Sequence, residues 1–131
     1  MAIRIFLVED SAAMRANLID YLVTHASVEI VAVAETEAEA TDWLKHNPDR
    51  WDIALVDLFL RAGTGVGVVE HCRKRSVDQT VLVMTNHVRD QDLLRHCKLL
   101  GADAIYDKAT ELDDLVAYCI GRAARVSACP V

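Results

Sequence analysis

Five short apolar segments recur along the chain and predict five β-strands. Their starts lie roughly 25 residues apart, which fits units made of a strand, a loop and a helix. The first four segments are rich in Ile and Val with little polar alternation, which is typical of strands buried on both faces of a parallel sheet. The predicted strands cover residues 3–8, 28–34, 52–56, 80–85 and 103–107.

Between these strands, apolar residues recur at the spacing of helix faces, which predicts five α-helices. Ser11 stands where a hydroxyl caps a first turn, and Glu39 follows Thr36 at the spacing of a capping box. Gly101 follows the fourth helix as a stop. The predicted helices cover residues 11–25, 36–46, 66–75, 89–99 and a final segment. The final segment has the clearest apolar face, formed by Leu112, Leu115, Val116, Cys119, Ile120 and Ala123.

Strands that alternate with helices in one short chain predict an α/β fold with helices on both faces of a parallel sheet. Right-handed crossovers limit the strand orders, and 2-1-3-4-5 is the usual solution for five strands. We therefore expect a flavodoxin-like fold of five strands and five helices that forms one domain over residues 1–125. Residues 126–131 are expected to fray as a C-terminal tail.

Composition and charge narrow the classes of function. The 131 residues carry a formal charge of −6, which argues against a general basic surface for nucleic acid. No apolar run approaches the roughly 20 residues of a membrane span, and the N-terminus lacks a signal-peptide pattern. The four cysteines form no close cluster and the five histidines show no zinc spacing, so we expect reduced thiols and no zinc site. Together these features predict a soluble, cytoplasmic protein.

Chemically active side chains stand at the ends of four predicted strands. The carboxyl ends of strands in an open parallel sheet meet at the edge where ligands bind, so these side chains are expected to converge. Glu35 follows the edge strand of the predicted order and is expected to lie outside the crevice. The converging set consists of Glu9 and Asp10 after the first strand, Asp57 directly beyond the third, Thr85 at the end of the fourth and Lys108 after the fifth.

Each of these residues also has an ordinary structural interpretation. Glu9 and Asp10 could cap the first helix, and Lys108 could be a solvated surface lysine. Asp57 could be a loop acid beyond a buried strand that ends at Val56, and Thr85 could be an ordinary strand residue. Their joint occurrence at the ends of neighbouring strands favours a shared site.

Three carboxylates in one site require compensating cations. Two carboxylates about 4 Å apart repel by roughly 4 kcal/mol at an effective dielectric near 20. Lys108 supplies one positive charge, and the remaining negative charge predicts a hard divalent ion such as Mg²⁺. Asp57 is then expected to be a nucleophile that forms an acyl phosphate. Lys108 and Thr85 are expected to hold the new phosphoryl oxygens.

In this order and spacing, the chain resembles the receiver domain of bacterial two-component response regulators, from about Ile3 to Ala124. The matching motifs are LVED (7–10), LVDLFL (55–60) with Gly65 eight residues after the aspartate, VMT (83–85) and YDK (106–108). The resemblance implies that Asp57 accepts phosphate from a histidine kinase.

The resemblance also implies a role for each matching position. Asp10, Asp57 and the backbone carbonyl of Phe59 would bind Mg²⁺ directly, and Glu9 would act on it through water. In the same way, Thr85 matches the switch hydroxyl that moves toward the phosphoryl group. Tyr106 matches the aromatic residue that changes rotamer with it, and Lys108 matches the lysine of the family's site.

Several positions depart from the family's common pattern. Arg61 and Ala109 stand where receivers commonly have proline, so we expect a less rigid loop after Asp57 and no cis bond before Ala109. Phe59 and His87 occupy positions that tune hydrolysis of the acyl phosphate in the family. Phe59 cannot hydrogen-bond a water molecule, which predicts slow dephosphorylation; in the alternative, it only packs on the loop.

Phosphorylation is expected to displace the face formed by the fourth helix, the fifth strand and the fifth helix. No segment remains for a DNA-binding effector, so we expect a single-domain regulator that signals by binding protein. The expected partners are a sensor histidine kinase or histidine phosphotransfer protein and a downstream protein target, with no DNA and no membrane insertion. A phosphorelay intermediate and the receiver part of a longer regulator remain alternatives. The exposed residues expected on this face are Arg89, Asp92, Arg95, Tyr106 and Arg122.

Two other classes of protein fit the sequence less well. Haloacid-dehalogenase-like phosphatases also use an aspartate nucleophile with Mg²⁺, but they need a second acid where this chain has Phe59. A flavodoxin-like cofactor carrier needs a phosphate-binding loop after the first strand. The segment EDSAAM (9–14) instead places two carboxylates there, which would repel a phosphate.

Overall fold

A computed structural model describes residues 2–25, 27–86 and 89–128, except for the side chains of 124–128. Strands and helices alternate along the whole described chain. The strands are β1 (Ile3–Val8), β2 (Val28–Ala34), β3 (Ile53–Asp57), β4 (Thr80–Thr85) and β5 (Ala104–Asp107). The helices are α1 (Ala12–His25), α2 (Glu37–His46), α3 (Gly65–His71), α4 (Gln91–Leu99) and α5 (Leu112–Ala128).

The five strands form one parallel sheet in the order β2-β1-β3-β4-β5, which confirms the predicted topology. The strand order changes direction between β1 and β3. The crevice of such a sheet lies at this switch point, just beyond the carboxyl ends of the strands. The ends of β1 and β3 therefore lie next to each other, with Val8 paired to Val56 in register.

Two apolar cores lie on opposite faces of the sheet. One face packs against α1 and α5 through residues such as Leu22 and Leu115, and the other packs against α2, α3 and α4. The central strands are buried on both sides, since every residue of β3 and β4 is buried. This burial explains why those strands read as nearly continuous apolar runs. The apolar face predicted for α5 contributes to the first of these cores.

One boundary prediction that affects the site was wrong. The strand was expected to stop at Val56, but Asp57 is the last residue of β3 and pairs with Met84 of β4. Asp57 is only 5% exposed. The apolar pattern could not reveal this, because a carboxylate at the end of a strand can point either into a crevice or into solvent.

Local hydrogen bonds set the starts of three helices, and two of these caps were predicted from the sequence. The Ser11 hydroxyl accepts from the Met14 N–H, and the Thr36 hydroxyl accepts from the Glu39 N–H. Thr64 caps α3 in the same way. These side chains satisfy backbone donors that have no partner inside the helix.

Other helix ends differ from the prediction. The third helix ends at His71 and continues as a 3₁₀ turn at Cys72–Lys74, whereas one helix over 66–75 was expected. The fourth helix begins at Gln91 because Asp90 caps it, two residues later than predicted. The fifth helix extends to Ala128, into the tail predicted over 126–131, and residues 129–131 lie outside the described residues.

Within the described residues, none of the helices is both long enough and apolar enough to cross a membrane. The three described cysteines, Cys72, Cys97 and Cys119, are buried free thiols, as predicted. Burial raises the pKa of the Cys72 thiol to about 11 and that of Cys119 to about 12. These thiols therefore act as small apolar residues of the core.

Candidate functional site

The carboxyl ends of the central strands bring three carboxylates together. Oxygen atoms of Glu9, Asp10 and Asp57 all lie within 4.8 Å of one another. Glu9 and Asp10 directly follow β1, and Asp57 ends the neighbouring strand β3. The three acids therefore lie together at the carboxyl edge of the sheet, where the strand order was expected to bring them.

Lys108 joins two of these carboxylates from the far side of the crevice. Its ammonium group donates to Glu9 Oε1 across 2.8 Å and to Asp57 Oδ2 across 3.1 Å. Lys108 directly follows β5, and its N–H donates to the carbonyl oxygen of Thr85. The lysine is therefore held by the backbone of β4 as well as by the two acids. Burial lowers the pKa of Lys108, but the hydrogen bond to Glu9 and the charge of Asp57 raise it overall.

Glu9 is completely buried, which is unusual for a carboxylate. Burial, together with the hydrogen bond and charge of Asp57, raises the pKa of Glu9 to about 7 despite the opposing effect of Lys108. Its second oxygen, Oε2, has no hydrogen-bond partner within the described chain. A buried oxygen without a partner is costly, so this site retains unused capacity to bind a positive group.

These features fit a hard divalent cation such as Mg²⁺. Carboxylate oxygens are its preferred protein ligands, and three of them lie together here with one cationic neighbour. The buried Oε2 atom of Glu9 is a further acceptor at the same place. The donor set therefore matches the metal predicted from the sequence.

The loop after Asp57 is tied closely to the aspartate. The Phe59 N–H donates to Asp57 Oδ1 across 3.2 Å, and Phe59 also forms a single β-bridge with Thr64. The Phe59 side chain is 49% exposed at the edge of the site. The Gly65 N–H donates to the Leu58 carbonyl and closes the loop.

Gly65 is required by a close approach of backbones. A β-carbon at this position would overlap the Asp57 carbonyl oxygen and contact Leu58 Cα. Only glycine permits such contact without moving the chain. This contact explains physically why the glycine belongs to the motif that begins at Asp57.

The remaining predicted site residues lie around the same crevice. Thr85 is fully buried at the end of β4, and Tyr106 lies half-buried on the neighbouring strand β5. The bond between Lys108 and Ala109 is trans. His87, predicted to tune hydrolysis, lies outside the described residues.

The output face predicted from the sequence is only partly exposed. Arg89, Asp92 and Arg95 are exposed as expected, and Tyr106 is half-buried. The prediction for Arg122 was wrong, because this side chain is half-buried and donates to the Thr80 hydroxyl and the Asp78 carbonyl. Arg122 therefore ties α5 to the amino-terminal end of β4.

A set of ion pairs beside the site was not predicted from the sequence. Glu35 lies outside the carboxylate cluster, as expected, but it binds Arg15 of α1 and Arg61 of the loop after β3. The Arg15 guanidinium also donates to the Glu9 carbonyl oxygen. The sequence pointed to these ion pairs only through Arg61, which stands where receivers commonly have proline. The partners of Arg61 could not be identified without the fold.

The chain matches one known protein family over most of its length. Residues 5–119 match the family described as the response regulator receiver domain, which covers most of the sequence. The chain belongs to the receiver-domain family of response regulators. Receiver domains act as phosphoacceptor modules in two-component signalling and typically bind Mg²⁺ at an acidic pocket.

Solved receiver structures share the fold of this receiver domain. The response regulator domain of CheB from Thermotoga maritima superposes with a TM-score of 0.77 at 17% identity, covering 99% of this chain and 100% of that one. A phosphorylated cyanobacterial phytochrome response regulator, RcpA, gives a TM-score of 0.76 at 23% identity, covering 92% and 91%. At such identities the likeness supports the fold alone.

The curated relatives are longer than this receiver domain. The response regulator protein VraR of Staphylococcus saprophyticus is 24% identical over 115 residues, which are 88% of this chain and 54% of VraR. The DNA-binding transcriptional activator DevR/DosR of Mycobacterium tuberculosis is 28% identical over 92 residues, 70% of this chain and 42% of the relative. The chain thus spans about half the length of these relatives.

Proposed function

We propose that this receiver domain accepts a phosphoryl group on Asp57 from a phosphohistidine of a sensor kinase or a phosphotransfer protein. The observation that carries this proposal is the position of Lys108, whose ammonium group binds both Glu9 and Asp57. Asp57 is buried, and one of its oxygens accepts from the Lys108 ammonium group while the other accepts from the Phe59 N–H. The chemistry that suits it is nucleophilic attack on a phosphorus atom.

In the proposed transfer, an Asp57 carboxylate oxygen attacks the phosphorus of the donor. A new oxygen–phosphorus bond forms, and the phosphorus–nitrogen bond to the donor imidazole breaks. The leaving nitrogen keeps the bonding electron pair and takes up a proton. The product is an acyl phosphate on Asp57 and an unmodified histidine on the partner.

Mg²⁺, when bound, would neutralise the charge of the acids and of the incoming phosphoryl group. Glu9, Asp10, Asp57 and the backbone carbonyl of Phe59 are the groups that would hold it. Lys108 would exchange Asp57 for a phosphoryl oxygen, and the Thr85 hydroxyl would donate to another one. Tyr106 of the neighbouring strand β5, which pairs with Met84 of β4, would change rotamer in response.

The output proposed for these residues is phosphorylation-dependent binding of a partner protein through the face of α4, β5 and α5. The compatible cellular location is the cytoplasm. A single-domain regulator and a phosphorelay intermediate both fit this output without DNA contact. A receiver within a longer DNA-binding regulator is the second candidate, favoured by the curated relatives that are about twice as long.

The decisive experiment is incubation with acetyl phosphate and Mg²⁺, followed by intact-mass measurement. We expect wild type to gain one phosphoryl group and Asp57→Asn to gain none. Asp20→Asn, an exposed aspartate change on α1, serves as the matched control and should be modified like wild type. A phosphoryl adduct that persists at full yield in Asp57→Asn would contradict the proposal.

The two candidate outputs require a separate test. The phosphorylated and unmodified chains can be compared for capture of partner proteins other than the donor kinase and for binding of random-sequence duplex DNA. Phosphorylation-dependent protein binding without DNA affinity supports the first candidate for this chain. Measuring the mass of the native gene product decides whether an effector segment accompanies it.

A further inference from the structure

Glu35 connects two segments that flank the phosphoacceptor site. It directly follows β2, the edge strand, yet its two oxygens bind different parts of the molecule. Oε1 lies 2.8 Å from Arg15 Nη2 of α1, and Oε2 lies 3.0 Å from Arg61 Nη2 of the loop after Asp57. We call Arg15, Glu35 and Arg61 the bridging triad.

Arg15 is the more firmly held arginine of the triad. Its side chain is only 17% exposed, and its other terminal nitrogen, Nη1, donates to the Glu9 carbonyl oxygen across 2.8 Å. Charge-assisted hydrogen bonds are stronger when they are shielded from water. Arg15 thus fixes the backbone between β1 and α1, the segment that carries Glu9 and Asp10.

Arg61 attaches the opposite wall of the site to the same carboxylate. Its side chain is 61% exposed, so its ion pair with Glu35 is weaker than the one that Arg15 makes. Arg61 lies two residues after Phe59 in a loop that lacks the proline common at this position. Proline would restrict the backbone at this position. Here the ion pair between Arg61 and Glu35 restrains the loop instead.

Glu37 holds the same loop a few residues further along. Its carboxylate accepts from the Thr64 N–H across 2.8 Å, and its N–H donates to the Ala62 carbonyl oxygen. The side chain fits because Gly63 and Gly67 leave the space that β-carbons would fill. The β2–α2 segment therefore contacts the loop through Glu35 and Glu37, and Arg61 also lies 3.9 Å from Glu39 of α2. Of these three acids, Glu35 is the one that also binds Arg15 of α1.

We propose that Glu35 is a positioning residue for the metal site. Through Arg15 and Arg61 it fixes the spacing between the backbone that carries Glu9 and Asp10 and the loop that carries the Phe59 carbonyl. This inference rests on the proposed function, since it assumes that both segments contribute ligands to one Mg²⁺ ion. Glu35 touches neither the phosphoryl donor nor the ion, and it acts only through the two arginines.

The test is a MgCl₂ titration of the full unphosphorylated chain, followed by NMR chemical shifts of the backbone amides. Glu35→Gln keeps the size of the side chain and removes its charge. We expect its Mg²⁺ dissociation constant to rise roughly 3- to 10-fold, as for the loss of partly shielded ion pairs. Glu29→Gln, the same change at an exposed position of β2, should bind Mg²⁺ like wild type.

Two arginine variants rank the contacts. Arg15→Ala should weaken Mg²⁺ binding more than Arg61→Ala, because Arg15 is more buried and also holds the Glu9 carbonyl. In Glu35→Gln, amide hydrogen exchange in residues 58–64 should accelerate while thermal unfolding stays near that of wild type. An unchanged Mg²⁺ affinity in Glu35→Gln, even with lower thermal stability, would overturn the inference.

Phosphorylation kinetics separate this inference from the proposed function. With Mg²⁺ saturating, the acetyl phosphate concentration at half-maximal rate should be unchanged in Glu35→Gln. A rise in that concentration without loss of Mg²⁺ affinity would assign the triad to donor recruitment and overturn a positioning role. A wild-type chain that binds Mg²⁺ but takes no phosphoryl group contradicts the proposed function, while the Mg²⁺ comparison still decides the role of Glu35. A wild-type chain that binds no Mg²⁺ contradicts both.

Discussion

Lys108 and Glu9 are 99 residues apart in the chain, yet the lysine ammonium donates to the fully buried glutamate across 2.8 Å. This bond joins the end of the last strand to the end of the first across the crevice. The same ammonium group also holds Asp57, so one cation partly neutralises two buried acids. The stability of the site without metal therefore depends on Lys108.

Replacing Lys108 with methionine should destabilise the metal-free protein. The change leaves two buried carboxylates without their cation, at a cost of about 3 kcal/mol in the free energy of unfolding. A ligand that binds only the folded state stabilises it. Added Mg²⁺ should stabilise the variant more than wild type, because the ion replaces the positive charge that the two acids have lost. Chemical denaturation at pH 8, with and without MgCl₂, measures both effects.

Lys98→Met is the matched control, since Lys98 is exposed on α4 and makes no ion pair in the described structure. Its unfolding free energy should stay close to that of wild type. Equal stabilities of Lys108→Met and Lys98→Met would show that the lysine does not balance the buried acids.

Replacing Gly65 with alanine should damage the site and the fold together. The added methyl group would overlap the Asp57 carbonyl oxygen, which is backbone and cannot rotate away. We expect a loss of about 2–3 kcal/mol in unfolding free energy, typical of overpacking at a rigid position. The yield of phosphorylated protein should fall as well, because the shift moves Asp57.

Gly67→Ala provides a comparison within the same helix. Its methyl group would meet the carboxylate end of Glu37, a flexible side chain that can move. The loss of stability should therefore be smaller than for Gly65→Ala in thermal or chemical unfolding. The reverse order would contradict the close approach assigned to Gly65.

Asp52 should make stability depend on pH in the acid range. Burial tends to raise the pKa of Asp52, but hydrogen bonds from the Arg4 side chain and backbone outweigh it and lower the pKa below 3.8. Because the folded state favours the ionised form, this contribution is present above about pH 4 and is lost as pH falls through the lowered pKa. Asp52→Asn should cost about 1 kcal/mol at pH 7, since the pair is partly exposed to solvent.

The pH dependence is checked by denaturant unfolding of wild type and Asp52→Asn between pH 7 and pH 2.5. The difference between them should shrink toward zero at the acid end. Asp49 is an exposed neighbour whose backbone carbonyl, rather than its carboxylate, accepts a hydrogen bond from Arg4, so Asp49→Asn should show a much smaller trend. A constant difference across the pH range would argue against the Arg4 pair as the cause.

Phe59 should control how long the phosphoryl group lasts. Its ring is half-exposed at the edge of the site, and it cannot hydrogen-bond a water molecule that attacks the acyl phosphate. Phe59→Asn adds a polar group that can orient such a water, so its phosphoryl half-life should be several-fold shorter. Phe59→Leu keeps an apolar side chain and should stay close to wild type.

The half-lives are measured by intact mass after removal of acetyl phosphate, in the presence of Mg²⁺. Matching half-lives for Phe59→Asn and wild type would support the alternative that Phe59 only packs on the loop. In that case Phe59→Leu and Phe59→Asn should differ in loop stability instead.

The sequence by itself determined the fold class, the strand order and most of the strand boundaries. All five strands are predicted within one residue, and β1, β2 and β4 without error, because burial in the sheet leaves a local apolar pattern. The site acids could be found for a related reason. Glu9, Asp10 and Asp57 stand at strand ends, and parallel strands bring their ends to one edge.

Only the tertiary structure decided which atoms meet there. The fold buries Asp57 at the end of β3. It also brings together residues that are distant in the chain, since Lys108 binds two acids and Glu35 binds two arginines. Apolar periodicity reports how one element faces the core, but it carries no information on which charged side chain reaches another element. Those pairings depend on the spacing between strands and loops, which exists only in the folded chain.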